Sequence, residues 1–139
     1  FVDLDERIAA RYGTPADIFA TRGEACFRDV EAQMLSEALD TTDDTVLALG
    51  GGTILREAHL RLVKAHATLL WLDTAFDIIL SELGNADRPL VRGKSLAQIR
   101  QLYDVRRPLY AAAADHIFPI TTTDYDRVVA DLALTIKSL

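Results

Sequence analysis

Thr45-Val46-Leu47-Ala48-Leu49-Gly50-Gly51-Gly52-Thr53 decides how this chain is read. An apolar run stops at three consecutive glycines, and a charged, helix-compatible segment follows. This is the pattern of a buried strand whose C-terminal end lies where backbone must approach something closely. Glycine triplets carry an entropic penalty, so a packed protein keeps them where side chains would obstruct. In open α/β sheets ligands bind outside the carboxyl ends of the strands. A loose strand-to-helix loop is the plainer alternative.

Upstream, Phe1 to Leu4 reads as a short strand with Asp3 and Asp5 at its end, followed by a helix over 6–12 stopped by Gly13. Thr14-Pro15 has the form of a helix start, with threonine as cap and proline in the first turn. Gly23 breaks that helix. From Glu24 to Leu39 the residues Phe27, Val30, Met34, Leu35 and Ala38 keep helical spacing on one apolar face. Residues 40–44 form a polar turn before the strand.

Downstream, 56–66 reads as a helix with Ala58, Leu62 and Val63 among its apolar positions. The unbroken run Ala67 to Leu72 predicts a strand buried on both faces of a parallel sheet. Asp73-Thr74 is placed to cap a helix over 75–83, and Gly84 to Lys94 reads as an excursion. A helix over 96–115 is kinked or broken by Pro108. A last strand over 116–120 contains Pro119, which suits a sheet edge. A closing helix covers 124–138. Strands alternating with helices give an α/β fold with a mainly parallel sheet.

The 139 residues fit one domain, half of them hydrophobic. No apolar run approaches the ~20 residues of a membrane span. The single Cys26 cannot form an internal disulfide, which fits a reducing, cytoplasmic setting. A net charge of −6 argues against a protein that coats nucleic acid. Arginine outnumbers lysine 12 to 3, a bias that suits two-pronged gripping of carboxylates and phosphates, or a GC-rich coding sequence.

Asp3 and Asp5 are suited to holding Mg²⁺ through water or taking the proton of a substrate hydroxyl. They are equally suited to a solvated strand end in which Asp5 caps the next helix. Arg28 stands three residues before Glu31, so Glu31 can orient its guanidinium toward a carboxylate; an ordinary surface pair has the same spacing. Arg88 and Arg106 each precede a proline-leucine pair, and solvated charges fit both. The scattered histidines have no metal-ligand spacing. There is no Gly-x-Ser-x-Gly element and no zinc, haem or DNA-reading motif.

Taken in order, the landmarks resemble the shikimate kinase family. They are Phe1-Val2-Asp3-x-Asp5, Ile18-Phe19, Gly23-Glu24-x-x-Phe27-Arg28-x-x-Glu31, Ala48-Leu49-Gly50-Gly51-Gly52, Trp71-Leu72-Asp73, Arg88-Pro89-Leu90 and Arg106-x-Pro108-Leu109-Tyr110. The resemblance spans the whole chain. It implies a P-loop, nucleoside-monophosphate-kinase-like fold: a three-layer α/β arrangement of parallel strands with helices on both faces. It also implies ATP and shikimate as substrates, with Mg²⁺, in a single monomeric domain over 1–139 whose lid covers about 84–95. By resemblance Asp3 helps to hold Mg²⁺ through water, and Asp5 binds the shikimate hydroxyls and accepts a proton. Arg28 and Arg106 clamp the shikimate carboxylate, and Gly50, Gly51 and Gly52 offer backbone donors to the ring. Phe27, Glu31 and Pro89 line or orient the pocket, and Arg88 reaches over the transferring phosphate.

Two departures qualify the match. The phosphate-cradling Gly-x-x-x-x-Gly-Lys-[Ser/Thr] is absent from these residues. With Phe1 in place of an initiating methionine, the expectation is an N-terminally truncated chain, short of a central strand, its loop and its helix. Such a piece, roughly thirty residues shorter, is expected to be poorly stable and inactive alone. The second departure is Ser81-Glu82, where many members carry an arginine near the nucleotide. Two other readings stand beside the kinase: a non-catalytic small-acid sensor of the same fold, and a related kinase for another acid such as gluconate.

Overall fold

The structure is a computed structural model and describes residues 1–40, 44–83 and 93–139. Arg88 and Pro89, with most of the expected lid, lie outside the described residues. The chain groups into two compact units, Phe1–Ala67 and Thr68–Leu139.

In the first unit β1 (Val2–Asp3) pairs in parallel with β2 (Leu47–Ala48), Val2 opposite Leu47 and Asp3 opposite Ala48. Two residues after β2 the glycines begin, so the apolar run delivers them to the carboxyl end of the strand pair. Between the strands come α1 (Leu4–Tyr12) and α2 (Pro15–Leu39), which pack on each other. Leu4 and Ile8 of α1 are fully buried, as are Ile18 and Leu35 of α2, and Phe27, Met34 and Ala38 of α2 are buried with them. Across the pair, Arg11 Nη1 donates to Glu37 at 3.0 Å.

The start of α2 follows its sequence signals. Thr14 Oγ1 accepts from the Asp17 amide at 3.1 Å, and Pro15 occupies the first turn. Gly23 interrupts the helix with φ 82 and ψ 169. A Cβ there would meet nothing within 4 Å, so backbone conformation and not crowding calls for glycine. This break turns the second half of α2, which begins the Phe27–Ala38 face, independently of the first.

After the glycines a 3₁₀ turn, Thr53–Leu55, leads into α3 (Glu57–His66). The buried positions of α3 are His59 and Val63, one turn apart, whereas Ala58 is exposed. Of the expected apolar positions Ala58, Leu62 and Val63, only Val63 is buried. The helix instead turns a polar ring inward, because buried acceptors await it.

In the second unit β3 (Leu70–Thr74) runs parallel to β4 (His116–Ile120), with Leu70 opposite His116 and Thr74 opposite Ile120. α4 (Phe76–Leu83), α5 (Leu96–Ala113) and α6 (Tyr125–Lys137) complete it. Ile78, Ile120 and Val128 form its buried cluster, with Ala75 and Phe118 against them. β3 is not buried on both faces: Leu72 is 43% exposed. Among the described residues β3 has a single strand partner, β4.

Two further expectations give way. Asp73 does not cap α4, because Arg107 takes its carboxylate through Nε at 3.0 Å and Nη2 at 2.6 Å. Of the kink or break expected at Pro108 the break does not occur, since α5 continues through it to Ala113. The start of α5 is held by a capping box between Ser95 and Gln98. Trp71 rests against Tyr110, and Phe76 against Tyr103, with centroids 6.0 and 5.1 Å apart. No helix among the described residues is long and apolar enough to cross a membrane.

Candidate active site

The first unit holds five of the sequence-selected side chains, Asp3, Asp5, Phe27, Arg28 and Glu31, together with the glycine run. β1 ends at Asp3, whose Oδ1 accepts from the amides of Asp5 and Glu6 at 2.9 and 3.1 Å and so caps α1. The cap thus falls to Asp3, and the Asp5 side chain is left to point elsewhere. It lies over the shelf: a Cβ at Gly50 would sit 3.4 Å from Asp5 Oδ2 and 3.5 Å from Oδ1. Burial raises the Asp5 pKa above the ordinary carboxylate range, and repulsion from Asp3 and Glu31 adds to this while Arg28 opposes it. A carboxylate held ready for a proton in this way suits a general base.

Arg28 comes from α2 and reaches the other end of the shelf. A Cβ at Gly52 would stand 2.8 Å from Arg28 Nη2 and 3.2 Å from Nη1. Gly52 has φ −84, so here glycine answers to the neighbouring guanidinium and not to backbone conformation. Arg28 lies over the rings of Phe27 and Phe19, 5.2 and 5.9 Å from their centroids. Its Nη1 donates to Glu31 Oε2 at 2.8 Å, with Glu24 farther off at 3.7 Å from Nη2. Gly52→Ala must push the guanidinium off this seat. It is expected to weaken acid binding about tenfold, since small misplacements at a site have such effects. Titration calorimetry with the acid checks this, and an unchanged affinity removes Gly52 from the site.

Glu31 is only 1% exposed, so the Arg28–Glu31 spacing belongs to a buried pair and not to an ordinary surface one. Buried carboxylates need partners, and Glu31 has several. Beyond Arg28, Thr53 Oγ1 donates to its Oε1 at 2.7 Å, and His59 Nδ1 lies 3.6 Å from its Oε2. Thr53 and His59 escaped the sequence reading. The available signals were a hydroxyl directly after the glycines and a histidine one helical turn before buried Val63.

Arg106 lies on α5 in the second unit, partly buried, and has no ion pair among the described residues. Its neighbour Arg107, which sequence reading passed over, holds Asp73 and lies over Trp71. Arg107 also borders a hollow of about 730 Å³ lined by Trp71, Phe76, Tyr103, Pro108 and Ile117 among others. For a metal, the described residues contain no group of three His, Cys, Asp or Glu side chains that makes a site alone. Mg²⁺ is commonly held by one or two carboxylates, with waters and substrate phosphates completing its shell. Asp3 beside Asp5 fits that limited demand.

A family model described as shikimate kinase matches residues 1–137. A shikimate kinase of Streptococcus thermophilus is 32% identical over 144 residues, covering 100% of this chain and 86% of the relative. One from Dictyoglomus turgidum is 32% identical over 95% of this chain and 79% of its own length. Among solved structures, the Bacteroides thetaiotaomicron shikimate kinase superposes with a TM-score of 0.85. It is 27% identical and covers 99% of this chain and 83% of that one. The Acinetobacter baumannii enzyme, solved in complex with shikimate, gives 0.84 at 27% identity, covering 99% and 79%. With parallel strands, a bare glycine shelf between a carboxylate and a guanidinium, and these relatives along its whole length, the chain belongs to the shikimate kinase family.

Proposed function

We propose that this chain binds shikimate over Gly50–Gly52 and serves transfer of the ATP γ-phosphoryl group to the shikimate 3-hydroxyl, a step of aromatic amino-acid biosynthesis. The observation that carries the reading is that Asp5 and Arg28, far apart in sequence, both lie against this one stretch of bare backbone. A general base and an anion grip at opposite ends of a main-chain shelf match a small hydroxy acid, with one end to deprotonate and the other to hold. The solved relative carrying shikimate supports the choice of acid.

Each group then has a task. Arg28 holds the carboxylate, aimed by Glu31, and Phe27 forms the wall beneath the guanidinium. By resemblance Arg106 supplies the second grip. Gly50, Gly51 and Gly52 let the ring approach the main chain. Asp5 orients the attacking hydroxyl and takes its proton as the oxygen bonds to the γ-phosphorus and the bridging oxygen leaves with ADP. Asp3 would hold Mg²⁺ through water, and the ion when bound supplies charge neutralisation at the phosphates. Arg88 reaches over the transferring group and Pro89 lines the pocket, both by resemblance. Catalysis of this kind is mostly positioning and electrostatics.

The full-length protein is expected to phosphorylate shikimate and to lose at least tenfold in kcat/KM on shikimate methyl ester. The ester keeps the hydroxyls but removes the charge, and hydrogen bonds to charged groups are each worth about 1.5–3 kcal/mol. Equal turnover of acid and ester overturns the carboxylate grip.

A further inference from the structure

We propose that His59 is a positioning residue for the acid site: it anchors Thr53, which holds both the glycine shelf and the Glu31 carboxylate that aims Arg28. The inference deepens the reading above and rests on it.

Every polar atom of Thr53 is engaged. Its amide donates to the Gly50 carbonyl at 3.0 Å, which closes the turn under the shelf. Its hydroxyl donates to Glu31 Oε1 at 2.7 Å. Its carbonyl faces His59 Nδ1 at 3.1 Å. A carbonyl oxygen only accepts, so Nδ1 carries the hydrogen. Thr53 is fully buried and His59 is 5% exposed, so water does not stand in for either. The two parts of the acid site, floor and grip, therefore meet at one residue. His59 is the side chain from α3 that fixes it. The same imidazole, 3.6 Å from Glu31 Oε2, also borders the carboxylate that Arg28 uses. A histidine that merely filled the core would have no reason to join the shelf and the grip through one threonine.

The test uses three variants of the full-length protein. His59→Leu fills similar space without a donor and is expected to raise the shikimate KM about tenfold, with the ATP KM within twofold of wild type. His59→Gln can donate to the same carbonyl and is expected to return the shikimate KM to within about threefold of wild type. Arg28→Ala is the control on the underlying reading. If Arg28→Ala raises the shikimate KM and His59→Leu does not, the positioning role is lost and the acid grip stands. If Arg28→Ala has no effect, the acid grip itself is wrong. A parallel rise of both KM values in His59→Leu, or no rescue by glutamine, also overturns the proposal. Should His59→Leu fail to fold, nitrogen NMR of the wild-type ring decides: the Nδ1–H tautomer supports the proposal and the Nε2–H tautomer sinks it.

Discussion

Replacing Asp5 with asparagine is expected to lower kcat for shikimate about a hundred- to ten-thousandfold, the usual contribution of a positioned proton acceptor. The amide keeps the shape against Gly50 but cannot take a proton, so the shikimate KM should move by no more than about threefold. The same change should stabilise the protein. Burial, Asp3 and Glu31 hold the Asp5 pKa above its unfolded value. A carboxyl with a raised folded pKa favours the folded state while protonated, and that contribution fades as pH climbs through the folded value. At neutral pH the wild type therefore bears a charge that Asp3 and Glu31 repel, and the asparagine variant does not. The Tm of Asp5→Asn is expected to exceed that of wild type at pH 7, and the gap should close below the ordinary carboxylate range. Steady-state kinetics with melting curves from pH 3 to pH 8 check both parts. A kcat within threefold of wild type removes Asp5 as the base; a Tm gap that widens toward acid contradicts the electrostatic account.

Arg28→Ala is expected to raise the shikimate KM and to reduce kcat/KM at least tenfold. A tenfold loss is about 1.4 kcal/mol, below the ~1.5–3 kcal/mol of one hydrogen bond to a charged group. The guanidinium is well placed for a larger effect, being seated by Glu31 at 2.8 Å and by two aromatic rings. Truncation also leaves the buried Glu31 carboxylate without its cation, and breaking a buried pair typically costs about 3–5 kcal/mol. Arg28→Lys separates the two effects. Lysine keeps a positive charge near Glu31 but lacks the planar fork. A variant that melts like wild type yet binds shikimate about tenfold less tightly assigns the fork to the ligand. Unchanged kcat/KM in Arg28→Ala sinks the acid-grip reading.

The local elements were legible because their signals are local. Thr14-Pro15 opens α2 through an amide bond to its own cap. Gly23 interrupts the helix by adopting a φ that other residues avoid. The period of Phe27, Met34, Leu35 and Ala38 marks a face that is buried. At Asp73 and Leu72 the deciding partner stands far away in the chain. Asp73 looked like a cap for the helix just after it, yet Arg107, 34 residues on, takes its carboxylate. Leu72 belongs to a run that reads as doubly buried, but its exposure depends on which strands flank it.

The candidate site divides along the same line. Residue order and spacing determined the parallel α/β class, the family and the Arg28–Glu31 pairing, since helix geometry puts residues three apart side by side. Tertiary structure alone decided that Gly50 answers to Asp5 and Gly52 to Arg28. It alone brought Thr53 and His59 to the buried Glu31. The reason is physical. A periodic pattern reports which face of an element avoids water, whereas a buried charge is settled by whichever donors the folded chain carries to it, and those come from elements distant in sequence.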